Sequence, residues 1–135
     1  MEAVKSICVD TDIIIDYFRG REPGKTVFTD WRNKTEVFLT SITAFELLLG
    51  ASLSSKREAR ITEVESLLDQ HNTLDFTHES ARKAAEKGAE LKIKGIPIEI
   101  RDLFIASICL TNKLSLLTRN KSHYERIKDL TVLMP

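Results

Sequence analysis

A chain of 135 residues can bury one hydrophobic core but is too short for two ordinary domains, so positions 1–135 are read as a single domain. Apolar residues at 42% and charged residues at 30% fit a folded globular protein and exclude a disordered or collagen-like chain. Lys+Arg 20 against Asp+Glu 20 leaves no net charge, so any contact with nucleic acid must come from a local basic patch rather than a global field.

The opening MEAVKSICVDTD has its apolar run broken by Lys5 and Asp10 and lacks a small-residue cleavage site. No apolar stretch approaches the roughly 18 residues of a membrane span. A cytoplasmic protein without membrane contact is expected. Cys8 and Cys109 lack metal-like spacing and are expected to be reduced core thiols.

Residues 4–9 (VKSICV) read as a short buried strand, followed by a helix carrying Ile13, Ile14, Tyr17 and Phe18 and ending at Gly20. Asp12 or Thr11 is its expected N-cap, which leaves Asp10 at the strand end. Pro23-Gly24 marks a turn before a short second helix over 24–33. A second strand over 36–40 leads into the helix AFELLLGAS, capped by Ser41 or Thr43. Lys56 to His71 is an amphipathic helix with Ile61, Val64, Leu67 and Leu68 inward. A strand at 73–76 follows, then a long helix from Thr77 that stops near Gly95 and Pro97. The segment 101–112 is a helix too apolar for the surface, and strands close the chain at 115–118 and 130–133.

Strands alternating with helices predict an α/β fold, a three-layer α/β/α domain with a parallel sheet of about five strands. In such a sheet ligands bind beyond the carboxyl ends of the strands, where strand order reverses. Asp10 ends the first strand, Glu46 lies just after the second, and Asp102 starts the helix feeding the fourth. Each acid interrupts an apolar run, where a carboxylate is costly unless it is paired or coordinates a cation.

A hard divalent ion, Mg2+ or Mn2+, needs only a few carboxylates together with substrate phosphate. Asp10, Glu46 and Asp102 can provide them, with Asn120 or Asp12 adding an oxygen. His71, His78 and His123 offer zinc no HxxxH or HExxH spacing. An acidic cluster of this kind suits phosphodiester hydrolysis. Arg101, Arg119 and Lys121 fall beside the same strand ends and are candidates for phosphate contact. The plainer alternatives are that Asp10 only caps a helix and that Glu46 and Asp102 only neutralise a buried partner such as Arg101.

VDTDIIIDYFRG at 9–20, LTSITAFELLLG at 39–50, IEIRDLFIASICL at 98–110 and LLTRNKSHYERIKDL at 116–130 resemble, in order and spacing, the PIN-domain nucleases, especially VapC-type toxins of toxin–antitoxin pairs. The resemblance implies that Asp10, Glu46 and Asp102 are metal ligands, supported by the hydroxyls of Thr11 and Thr118, in an Mg2+- or Mn2+-dependent endoribonuclease. It also implies an RNA substrate, a cognate VapB-type antitoxin whose C-terminal segment crosses the acidic cleft, and a homodimer. Phe18 and Leu67 are expected seats for the antitoxin. Two positions depart from the family pattern: Asp12 stands where Asn or Ser is frequent, and His123 where Asp is frequent, with Asn120 carrying an amide nearby.

Asp10-Thr11-Asp12 after a strand also resembles the haloacid-dehalogenase phosphatases, but the further Lys and acidic pair of that family are missing. A response-regulator receiver fits worse, since Glu46 lies inside a helix. A non-catalytic PIN-like RNA- or protein-binding module remains the alternative to a nuclease.

Overall fold

Ile7 and Val9 turn to one side of a sheet and Cys8 to the other, and all three are fully buried, as a strand covered on both faces requires. The computed structural model describes residues 6–135, in which this strand is β1 (Ser6–Val9); the predicted strand positions 4 and 5 lie outside the described residues. Helices α1 (Thr11–Arg19) and α2 (Gly24–Lys34) lead to β2 (Glu36–Thr40). Helices α3 (Ser41–Ser52) and α4 (Arg57–Asp69) lead to β3 (Asn72–Leu74), and α5 (His78–Ile93) and α6 (Ile100–Thr111) to β4 (Ser115–Leu117). The short α7 (Lys121–Tyr124) precedes β5 (Val132–Leu133).

All strand pairs are parallel, in the order β3-β2-β1-β4-β5. Ile7 pairs with Val37 on one side and Ser115 on the other, so β1 is central. The chain moves outward from β1 through β2 to β3, then returns to β4 on the opposite flank. The strand order therefore reverses between β1 and β4, where a crevice opens at the carboxyl ends. Two cores complete the layers. Ile7, Val9, Leu39 and Leu117 pack under α1 to α4, whereas Cys8 and Leu116 pack with Ile105, Cys109 and Tyr124 under α5 to α7. Cys8 and Cys109 are free and buried. Among the described residues no helix is long and apolar enough to cross a membrane.

Several local expectations change. The N-cap of α1 is Asp10, not Asp12 or Thr11: its backbone is extended, and its Oδ1 accepts from Thr11 N–H at 2.8 Å. The cap of α3 is Thr40, one residue before the expected Ser41 or Thr43, with its hydroxyl accepting from Thr43 N–H at 3.1 Å. Strand β3 ends at Leu74 because Phe76 leaves the sheet to stack on Phe104, ring centroids 4.3 Å apart. Helix α7 was not predicted, being a single turn in a charged segment. Thr77 caps α5 as expected, accepting from Ser80 N–H at 3.1 Å.

Gly24 opens α2 where it presses on buried Asp16 of α1, and a Cβ there would collide with Asp16 Cβ, an atom that cannot rotate away. Gly24→Ala is predicted to cost about 1–3 kcal/mol by overpacking. Urea denaturation reads this as a lower midpoint, and an unchanged midpoint would show that the α1–α2 contact yields freely.

Candidate active site

The geometry starts at the end of β1. Asp10 N–H donates to Leu117 O at 2.9 Å, which extends the β1–β4 ladder by one residue and fixes Asp10 at the mouth of the crevice. Its side chain is fully buried. Glu46 lies one helical turn beyond Thr43 on α3, so both face the start of α1. Thr11 Oγ1 donates to Glu46 Oε1 at 2.7 Å and sits 2.9 Å from Thr43 Oγ1. Asp102 occupies the first turn of α6, where the helix dipole favours an acid, and is 3% exposed.

These three carboxylates, 36 and 56 residues apart in sequence, meet around one cation, the guanidinium of Arg101. Nη2 is 3.0 Å from Asp10 Oδ1 and Nε is 2.5 Å from Glu46 Oε2, while Nη1 binds Asp102 Oδ1. Burial opposes the guanidinium's charge, but the Glu46 hydrogen bond and the charge of Asp10 outweigh it and hold the group protonated far above its ordinary range. The expected pairing of buried acids with Arg101 is thus present. One guanidinium faces three carboxyl groups, so by formal charge a single partner does not balance them all.

Other groups also bind these carboxylates, mostly at the oxygens turned away from Arg101. Thr118, itself fully buried, donates from Oγ1 to Asp10 Oδ2 at 2.9 Å. His123 Nδ1 lies 3.2 Å from Asp102 Oδ2. Tyr124 OH lies between Asp10 Oδ2 and Asp102 Oδ1, at 3.1 and 3.2 Å. Burial and then the charges of Asp10 and Asp102 push the Tyr124 phenol far up, so it stays a donor. Tyr124 was missed by sequence reasoning, because an aromatic in KSHYERIKD resembles a surface loop. The signal available was the spacing from the end of β4, which sets one turn of helix against α6 and β5 with the Tyr124 hydroxyl reaching Asp10.

The remaining candidates are more peripheral. Asp12 Oδ2 accepts from Arg119 N–H at 3.0 Å and lies 3.4 Å from Thr118 Oγ1, whereas Asp12 Oδ1 is buried with no hydrogen-bond partner. Arg119 turns to Asp16, Nε to Oδ2 at 3.0 Å. Asn120 is exposed, with its backbone N–H donating to Thr118 Oγ1 at 3.0 Å, and Lys121 is exposed at the start of α7. Among the described residues no group of His, Cys, Asp and Glu is gathered as a ready metal site, and the guanidinium lies at the centre of the three carboxylates. The donor set itself fits a hard divalent ion: three carboxylate oxygens already converge on a positive charge.

A groove of about 520 Å³ runs from Glu46 between α1, α3 and α4, lined by Ile15, Phe18, Leu47 and Val64 with Arg19 and Arg60 at its edges. Leu67 is 3% exposed within the core, so it cannot be the partner contact expected of it. Phe18 is half-buried and lies in the groove.

A PIN domain profile matches residues 7–130. The chain is 32% identical over 130 residues to "Ribonuclease VapC" of Rickettsia bellii, covering 94% of each chain. It is 30% identical over 100 residues to "tRNA(fMet)-specific endonuclease VapC" of Salmonella typhimurium, covering 74% of this chain and 76% of that one. The structure of VapBC-1 from nontypeable Haemophilus influenzae superposes with a TM-score of 0.86 at 27% identity, covering 96% and 97% of the two chains. The chain belongs to the PIN domain family and, within it, to the VapC ribonucleases.

Burial, and then the neighbouring charge of Asp10, raises Asp12 from 3.8 to about 6. Between those values the folded protein holds more protons than the unfolded one, so this carboxyl's contribution to stability is lost as pH rises through that window. In metal-free protein at neutral pH, Asp12→Asn is predicted to stabilise the fold by about 1–2 kcal/mol after allowing for solvent screening. Near pH 4 the gain should vanish. Urea titrations at both pH values check this, and an equal effect at the two would contradict it.

Proposed function

We propose that this protein is an endoribonuclease that hydrolyses RNA phosphodiester bonds with Mg2+ or Mn2+, acting as the toxin of a type II toxin–antitoxin pair. The convergence of Asp10, Glu46 and Asp102 on one cation at the β1–β4 crevice carries the reading. A divalent ion held by these carboxylates would neutralise charge on the scissile phosphate and make a water more acidic.

The protein's own side chains set the geometry. Thr11 and Thr118 orient Glu46 and Asp10 through short hydroxyl bonds. Tyr124 holds Asp10 and Asp102 in register, and His123, half exposed, steadies Asp102 from the solvent side. Asn120 and Lys121 lie exposed beyond β4, within the segment that faces an incoming backbone, and can contact substrate oxygens. Arg119 contributes less to phosphate binding than its position suggests, because Asp16 already engages it.

A VapB-type antitoxin is the proposed partner, its C-terminal segment lying in the groove beside Glu46 with apolar anchors against Phe18 and Leu47. Self-association is supported by Phe45 and Leu49 on α3 and Leu53 at its C-cap, which recur every fourth residue and are all exposed. The names of the VapC relatives and of VapBC-1 support both the RNA substrate and the antitoxin.

Purified protein freed of antitoxin is predicted to cut structured RNA, including initiator tRNA, only when Mg2+ or Mn2+ is present. Asp102→Asn is predicted to lower the rate at least about 100-fold while leaving the circular dichroism spectrum unchanged. Intact RNA after incubation with folded wild-type protein and either metal would favour a binding module instead.

A further inference from the structure

Each carboxylate of the cluster offers one oxygen to the centre, and a single side chain holds all three. Asp10 Oδ1, Glu46 Oε2 and Asp102 Oδ1 bind Arg101. Asp10 Oδ2, Glu46 Oε1 and Asp102 Oδ2 are turned outward to Thr118, Thr11 and His123. The inner oxygens are the ones a cation at the centre must use, so guanidinium and divalent ion compete for the same atoms.

We propose that Arg101 is an internal rival of the metal: its guanidinium holds the three carboxylates assembled in the metal-free protein and has to leave before a divalent ion can bind. This rests on the reading of Asp10, Glu46 and Asp102 as metal ligands. A guanidinium suits the task because its planar fork spreads five N–H donors over three nitrogens, so Nε, Nη1 and Nη2 each meet a separate carboxylate, whereas the three donors of lysine radiate from a single nitrogen. The residue can also depart by side-chain rotation alone as the ion takes its place. It precedes Asp102 in the first turn of α6, and its side chain is 29% exposed, so rotation about its own bonds carries it to solvent.

The consequence is a threshold. When two cations exclude each other, the apparent affinity for the incoming one is the intrinsic affinity reduced to the fraction of molecules in which the first has left. Arg101 thereby keeps the cluster formed at low metal concentration, where three unneutralised carboxylates would repel one another and splay, and delays loading until the ion is abundant.

Calorimetric titration of Mn2+ into wild-type protein, Arg101→Met and Arg101→Lys, all free of antitoxin, tests the proposal. Methionine keeps the apolar stem and removes both charge and donors. Arg101→Met is predicted to bind Mn2+ at least about tenfold more tightly than wild type, with Arg101→Lys in between. Metal-free Arg101→Met should melt below metal-free wild type, and saturating Mn2+ should close the gap. A residue of merely structural importance would weaken Mn2+ binding when lost, so equal or weaker binding by Arg101→Met overturns the proposal. If Arg101→Met does not fold even with Mn2+, Arg101→Lys decides by the same comparison. If wild type and both variants fold but none binds Mn2+, the metal-ligand reading fails and this inference with it.

Discussion

Like charges forced together in a buried crevice set the terms for this structure. Asp10 has no exposed surface, Asp102 almost none, and Glu46 reaches the same point from a third element. Carboxylates so placed repel each other and lose hydration, and the fold holds them only because hydroxyls, a phenol, an imidazole and a guanidinium supply partners. The arrangement concentrates negative charge where the strand order reverses and where the amino-terminal turns of α1 and α6 add their own field.

The sheet serves that cluster. β1 is central, its residues alternate between two cores, and one further ladder hydrogen bond carries Asp10 past the strand end. α1 begins at once, capped by Asp10 itself, so one side chain both starts a helix and faces the crevice. This double use explains why the cap could not be Asp12 or Thr11. Thr11 spends its hydroxyl on Glu46, and Asp12 points to the loop after β4.

Much of this was legible in the amino-acid order because the acids stand inside apolar runs. VKSICV before Asp10, AFELLLG around Glu46 and DLFIASICL after Asp102 each pair a buried element with a carboxylate that needs a reason to be there. The parallel sheet followed from alternating periods, and Thr77 and Pro23-Gly24 followed from cap and turn chemistry. Less visible was anything depending on the return of α7. Tyr124 is fully buried where a single helical turn packs against α6 and β5, and no periodic signal survives in four residues. Arg101 was legible as a partner for Glu46 or Asp102 but not as the partner of three acids at once, since that depends on how three segments meet. Leu67 looked like a contact residue from its helix face, yet that face packs on the sheet.

Asp12 and His123 lie at the edges of the cluster rather than at its centre. Asp12 adds a carboxylate whose Oδ1 is buried without a partner, and His123 approaches Asp102 Oδ2 from the solvent side. Neither touches the three inner oxygens. Anomalous diffraction from crystals grown with Mn2+ would test the central claim most directly. The account predicts a manganese peak bounded by Asp10, Glu46 and Asp102, with the Arg101 guanidinium displaced toward solvent. A map with no peak there at saturating Mn2+, and Arg101 still bound to all three carboxylates, would contradict it.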